Sequence, residues 1–265
     1  MLDPYLGEVR SPALPLAIGS SGLEVKRVQE WLTFHGFASG IDSEFGPATK
    51  AAVMAFQRSA GLMLPNTEGL VDGPTWSALI APLVGADVIS SQPDSFGDRV
   101  CRIARAHLAA KAREIGGDNR GPFVRHYGRG TDQSVVGFFP WCQVFANHPW
   151  FKAAREVGCS LPFNLVMPDG NQSAYVPWVV NEARKVSRFV SGATATARIP
   201  PGSMFFVPGL IDGQPSHIHV GLVVADDGTT IQTIEGNTNH EGGSNGYEVA
   251  GRFRRKTQCN YGTCT

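Results

Sequence analysis

The hydrophobic residues in the first third of the chain recur at helical spacing. Val25, Val28 and Leu32 lie three and four residues apart, the pattern of one buried helix face. A second apolar helix is predicted to begin at Pro47, a residue suited to the first helical turn. The segment GPTWSALI repeats this turn-helix start and opens a third. We therefore predict a small three-helix bundle over residues 14–80.

The pattern changes twice further along the chain. Residues 81–97 carry several helix breakers and little periodicity, which predicts a linker between two domains. In the second domain, residues 98–258, two helical stretches precede three segments of strand character: GSMFFV, SHIHVGLVVA and TTIQTIEG. Helices followed by strands indicate an α+β fold with an antiparallel sheet. Residues 1–13 and 259–265 are predicted tails.

Composition excludes several partner classes. Hydrophobic residues make up 42% of the 265 positions and charged residues 17%, so a packed core is expected. Lysine plus arginine equals aspartate plus glutamate, 23 of each, so nothing favours nucleic acid or an anionic membrane as a partner. No apolar run approaches a membrane span. The first residues lack a signal-peptide pattern, so for action outside the cytoplasm we expect release by lysis or by a dedicated export system. We expect the protein to be a monomer.

The chain has five cysteines, an odd number, so at least one is unpaired within the chain. Cys259 and Cys264 flank four residues near the C-terminus, and both a small disulfide loop and two reduced thiols fit this spacing. Cys142 follows Pro140 and Trp141 at a predicted helix start. Positive potential at a helix N-terminus and a neighbouring imidazolium both stabilise a thiolate, so Cys142 is a candidate nucleophile.

A base and its orienting groups are predicted from strand register. If residues 226–228 form a three-residue loop, residue 225 pairs with 229 and His219 lies opposite Glu235. Directly opposed side chains have Cβ atoms about 5 Å apart. Asn237 lies on the same face two residues later. Whether Cys142 reaches this group is a tertiary contact that the register does not give.

The N-terminal segment resembles the peptidoglycan-binding-domain-1 family, which implies binding to the bacterial cell wall. The resemblance covers about a quarter of the chain. It is carried by Gly19, Gly22, Val25, Gln29, Leu32, Gly36, Ile41-Asp42, Phe45-Gly46, Thr49, Ala52-Val53, Phe56-Gln57, Gly61-Leu62, Val71-Asp72-Gly73, Thr75-Trp76 and Leu79.

The second domain resembles the CHAP family of cysteine, histidine-dependent amidohydrolases and peptidases, through the segments NRGPFVRHYG, PWCQVF, PPGSMFF, HVGLV and TIEGNT. The resemblance implies a papain-like fold with Cys142 as nucleophile, His219 as base, and Glu235 and Asn237 as orienting groups. The candidate substrate-binding residues are Trp141 and His217.

One departure from the family concerns Pro149, which stands where the nucleophile helix is usually continuous. Proline removes a backbone hydrogen bond and kinks or ends a helix. We therefore expect a short helix after Cys142, with Asn147 or His148 capping a second one.

A zinc site is the competing interpretation of the strand histidines. His217 and His219 lie on one strand face, an arrangement that zinc endopeptidases of the cell wall use. Such enzymes need a further histidine and aspartate in a His-x-x-x-Asp arrangement, and no aspartate stands at that distance after His107, His126 or His148.

The sequence thus predicts a peptidoglycan hydrolase that cleaves an amide bond by cysteine chemistry. It is expected to need no metal or other cofactor and to act at the bacterial cell wall with peptidoglycan as its partner. An immunity protein is a further expected partner if the chain is an exported effector rather than a phage endolysin. The alternatives are the zinc endopeptidase above and an inert wall-binding or phage structural protein.

Overall fold

The computed structural model describes residues 7–63, 65–88, 93–131, 139–239 and 246–265. These residues form a mixture of helices and one antiparallel sheet, which confirms the α+β class. Within them no helix is both long and apolar enough to cross a membrane. The elements in chain order are α1 (Leu23–Phe34), α2 (Pro47–Ser59), α3 (Gly73–Asp87), α4 (Phe96–Ala109), α5 (Pro122–Tyr127), α6 (Cys142–Val157), α7 (Val176–Lys185), β1 (Phe189–Ser191), β2 (Met204–Ile211), β3 (Gln214–Asp226), β4 (Thr230–Thr238), β5 (Glu248–Arg255) and β6 (Asn260–Gly262). The strands lie in the sheet in the order β1-β6-β2-β3-β4-β5.

Two buried glutamines cross-link the first three helices in the same way. Gln29 of α1 donates to the Thr49 hydroxyl at the start of α2 over 3.1 Å. Gln57 of α2 donates to the Thr75 hydroxyl at the start of α3 over 3.0 Å. Each amide oxygen also accepts a backbone N–H from the loop before the next helix. This repeated bond satisfies buried polar groups and fixes where each helix begins.

The expected linker over 81–97 is corrected in part, because α3 continues to Asp87 and α4 begins at Phe96. Pro82 is accommodated inside α3, and Leu83, one residue later, is fully buried. Burial of an apolar side chain, worth about 1.5–3 kcal/mol, offsets much of the cost of an interior proline. Helix α3 packs directly on α4, so the N-terminal helices rest against the second unit.

Ion pairs and hydrogen bonds reinforce this contact between the two units. Arg125 of α5 pairs with the buried carboxylates of Glu8 and Glu30, at 2.9 and 2.5 Å. Arg113 donates to the backbone oxygen of Phe34 at the end of α1 over 2.6 Å. The N-terminal unit is therefore held to the rest of the chain by packing, ion pairs and backbone contacts.

A cluster of buried histidines lies where α3 ends on the second unit. The Asp87 carboxylate is 3.2 Å from Nε2 of His107, 2.9 Å from Nε2 of His126 and 2.9 Å from Nε2 of His148. These histidines belong to α4, α5 and α6, and each is at most 1% exposed. The hydroxyl of Tyr127 lies 2.9 Å from Nδ1 of His107.

Helix α6 is continuous, so the expectation of a break at Pro149 is wrong. The helix runs sixteen residues with Pro149 inside it and ends at Gly158, which adopts a left-handed φ of 74°. Nearly every residue from Cys142 to Trp150 is buried, and Asn147 bonds to Gln143 within the helix rather than capping a second one. Tertiary packing of this face outweighs the one backbone hydrogen bond that proline removes.

The predicted register between β3 and β4 is also corrected. Leu222 pairs with Ile234 and Asp226 with Ile231, so the turn is longer than three residues, and the pairing shifts at an irregularity between Val223 and Ala225. Near the site, pairing is displaced by two residues from the prediction. Because side chains alternate with a period of two, a two-residue displacement keeps every side chain on the same face.

Candidate active site

Cys142 is the first residue of α6 and lines a cleft of roughly 480 Å³. Its side chain is largely buried, and the first N–H groups of a helix have no partner within that helix. Helix α6 approaches β4 closely at Gly236, where a Cβ atom would lie 2.6 Å from the Phe145 side chain. The absent side chain at Gly236 therefore lets the cysteine helix sit directly on the strands that carry the candidate base.

His219 and Glu235 form a buried pair beside this helix. Nε2 of His219 lies 2.9 Å from the Glu235 carboxylate, and both side chains are at most 1% exposed. The observed register sets Glu235 opposite Gly221, and a Cβ there would lie 2.9 Å from Cγ of Glu235. The glutamate thus lies over the glycine and reaches the histidine diagonally, so the structure brings this predicted pair together.

Two residues that the sequence analysis missed hold Glu235 in place. Arg254 of β5 donates to both carboxylate oxygens, with Nε 2.7 Å from Oε1 and Nη2 2.6 Å from Oε2. The Thr233 hydroxyl donates to Oε1. Burial alone would raise the pKa of Glu235, but the hydrogen bonds from Arg254 and His219 lower it to about 2. Glu235 is therefore an anion at neutral pH. The RFRR run was the available signal for Arg254, but it lay outside the predicted strands.

The electrostatics favour a charged imidazole. Burial lowers the pKa of His219, but interactions with Cys142 and Glu235 outweigh burial and raise it to about 9. Nδ1 of His219 makes no hydrogen bond of normal length among the described residues. Cys142 nevertheless lies close enough to influence the imidazole, and catalytic hydrogen bonds are often long before substrate binds. An imidazolium beside a thiol favours the thiolate, the nucleophilic form of cysteine.

Asn237 is buried on β4 and has a left-handed φ of 56°. Its backbone oxygen accepts a hydrogen bond from Gly246 N over 3.0 Å. The His219 imidazole donates its Nε2–H to the Glu235 carboxylate. Glu235, one of the two predicted orienting groups, therefore contacts the candidate base directly.

The two candidate substrate-binding residues separate. Trp141 is in the core, not on the cleft: it stacks on Tyr127 at 5.8 Å and donates its indole N–H to Glu114 over 2.8 Å. His217 does line the cleft, where Nε2 lies 2.9 Å from the Asn260 amide. Burial lowers the pKa of His217. The described part of the chain gathers no third ligand around His217 and His219 that would complete the alternative zinc site.

All five cysteines are free thiols, so Cys259 and Cys264 form no disulfide in this structure. Burial raises the pKa of Cys101 and of Cys259, each to about 11. Cys264 contacts the Ser203 hydroxyl in the core. Within the described parts of the chain, these buried thiols have no imidazole partner like His219, which distinguishes Cys142 from them.

Comparison with known proteins supports one part of the chain. Residues 21–79 match the family model described as a putative peptidoglycan binding domain. The match spans α1, α2 and the first half of α3, and it supports cell-wall association with peptidoglycan as a binding partner. No curated protein matches the chain significantly, and no solved structure does so either.

Proposed function

We propose that the chain is a peptidoglycan hydrolase that cleaves an amide bond with Cys142 as its nucleophile. The observation that carries this proposal is the placement of Cys142 at the start of α6, next to a histidine that a buried glutamate orients. Cysteine and serine hydrolases on unrelated folds share this arrangement, in which the nucleophile contacts a base and the base contacts an orienting group.

The proposed reaction begins when the Cys142 thiolate attacks the amide carbon. The carbonyl π electrons move to oxygen, and the backbone N–H of Cys142 at the helix start is a candidate donor to that oxyanion. The His219 imidazolium then gives its proton to the leaving amine, and an acyl-enzyme remains. Neutral His219 next takes a proton from water, which attacks the thioester and releases the acid and the cysteine. Glu235 keeps the imidazole in place throughout.

The cleft suits an extended substrate with apolar and polar parts. Phe139, Tyr175 and Ile218 lie on its wall and are at least 42% exposed. Asp169 and Asn171 contribute polar groups to the same wall. A peptide stem on a glycan carries both kinds of surface, so we assign the cleft to either the glycan–peptide amide or a bond within the peptides. The N-terminal unit supplies wall binding.

The test uses the full chain on purified peptidoglycan, with the released fragments identified by mass spectrometry. Wild type should release fragments whose new ends name the bond that is cut. Cys142→Ala should release none, while it still sediments with insoluble peptidoglycan and keeps its circular dichroism spectrum. Cys159→Ser, a change at an exposed thiol, is the matched control and should retain activity.

Two outcomes would contradict the proposal. Fragment release by a folded Cys142→Ala variant would exclude thiolate catalysis. Binding without release by wild type, on walls from several bacterial classes, would favour an inert wall-binding protein instead.

A further inference from the structure

Three buried histidines converge on one carboxylate at the junction of four helices, and none of them belongs to the His219–Glu235 pair. Asp87 ends α3, and His126 and His148 come from α5 and α6. One oxygen or nitrogen atom from each lies within 4.8 Å of the other two. The imidazole rings of His126 and His148 are 4.7 Å apart between centroids. This is the group among the described residues whose donor atoms approach closely enough to share an ion.

We propose that Asp87, His126 and His148 form a binding site for a divalent transition-metal ion, with zinc as the ion their chemistry fits best. Imidazole nitrogen and carboxylate oxygen are standard zinc ligands. Bonds of about 2.0–2.1 Å in a tetrahedron place neighbouring ligand atoms roughly 3.4 Å apart. The Asp87 oxygens lie 2.9 Å from each of the two Nε2 atoms, and the ligand atoms of all three residues lie within 4.8 Å of one another. Each of the two oxygen–nitrogen contacts would have to widen by about 0.5 Å to admit the ion.

The surroundings resemble the outer shell of a metal site. His107 contacts the Asp87 carboxylate through Nε2 at 3.2 Å and the Tyr127 hydroxyl through Nδ1 at 2.9 Å. Such bonds fix the orientation of metal ligands, and their loss typically costs about 10–100-fold in metal affinity. The Asp87 side chain is 21% exposed, which gives an ion a route from solvent to an otherwise buried site.

The proposed ion would join the wall-binding unit to the helix that carries Cys142. Asp87 terminates the last helix of the N-terminal unit, and His148 lies six residues after Cys142 on α6. An ion bound by both would stabilise the folded arrangement of these helices, because binding to the native state alone raises stability by mass action. The proposal stands independently of peptidoglycan hydrolysis.

The experiment measures zinc itself on the full chain. The protein is stripped with a chelator, reconstituted with ZnCl2, desalted and assayed for zinc by mass spectrometry. One zinc per chain is expected, and free zinc at about 100 times its dissociation constant should raise the melting temperature by roughly 5 °C. CoCl2 should give the intense visible bands of a four-coordinate ion, a readout that needs no variant.

Variants locate the ion. His126→Gln and His148→Gln should lose zinc, and His107→Gln should bind it about 10–100-fold more weakly. His35→Gln is the matched control, because His35 bonds the Leu79 backbone oxygen and is not one of the proposed ligands. This variant should bind as much zinc as wild type. A wild-type chain that retains no zinc, with no change in melting temperature or cobalt spectrum, would overturn the proposal. Equal zinc in wild type and His148→Gln would overturn it as well.

Discussion

Replacing Glu235 by glutamine tests the electrostatic core of the proposed mechanism. The change keeps the size of the side chain but removes the negative charge that His219 and Arg254 contact. His219 must be protonated to give a proton to the leaving amine, so activity should fall as pH rises through its pKa. In wild type that basic limb is expected near pH 9.

The size of the effect follows from the pKa of His219. Its rise from 6.5 to about 9 is worth roughly 3 kcal/mol, since one pKa unit is about 1.4 kcal/mol. Cys142 and Glu235 share this stabilisation of the imidazolium. If Glu235 supplies half, its loss moves the basic limb down by about 1.2 pH units. At pH 9 the variant should then be about tenfold slower than wild type, because a much smaller fraction of its His219 is protonated. At pH 7 His219 is mostly protonated in both proteins, so this effect on the rate should be small.

The assay is kcat/KM on soluble peptidoglycan fragments between pH 5 and 10. Glu182→Gln is the control, because this carboxylate pairs with Lys185 on α7 and should leave the pH profile unchanged. Alkylation of Cys142 by iodoacetamide at high pH verifies that the thiol is intact in each variant. A folded Glu235→Gln enzyme whose basic limb stays near pH 9 would refute the assignment of Glu235 as the partner of His219.

Three further predictions follow from the same pair. Gly221→Ala should lower both activity and melting temperature, because its Cβ would lie 2.9 Å from Cγ of Glu235, while Gly251→Ala, with 3.6 Å to its nearest neighbour, should be tolerated. Arg254→Met should raise the pKa of Glu235 and move the acidic limb of the pH profile upward, with Arg254→Lys restoring part of the loss; an unchanged limb would exclude this role. Because the pKa of His219 is raised on folding, protonated His219 contributes its full stabilisation below pH 6.5, and this stabilisation is lost as the pH rises to about 9. The urea midpoint of wild type should therefore fall between pH 6.5 and 9, and that of Glu235→Gln should fall less.

Local patterns predicted the helices of the N-terminal unit and the face shared by His219 and Glu235. The observed pairing of β3 with β4 is displaced by two residues from the predicted pairing. The turn contains more than three residues, and β3 has an irregularity between Val223 and Ala225. Turn length depends on side chains that bond backbone N–H groups, as Asp227 does with Thr230. A displacement of two residues keeps each side chain on the same face of the sheet. The prediction that His219 and Glu235 share a face was therefore right, although they are not directly opposite each other.

Other features depend on contacts between distant segments and lay outside the sequence patterns. Pro149 sits inside a helix because that helix is buried. Arg254 reaches Glu235 from a strand that periodicity did not reveal. The sequence pattern expected for a zinc site has an aspartate shortly after a histidine, whereas Asp87 lies on a different helix from His126 and His148. Spacing along one element does not reveal a site whose ligands come from three helices.

The packing of α3 on α4 has a consequence for how an anchored enzyme would explore its polymer. When a flexible linker joins a binding module to a catalytic domain, the volume that the catalytic domain can reach grows with the length of the linker. Here Arg113 and Arg125 fasten the two units, so the distance from the wall-gripping surface to the cleft is set by folded structure. Under the proposed function, such a molecule would cut the polymer at a fixed distance from each point where it is bound. The spacing between cuts would then equal the spacing between binding points.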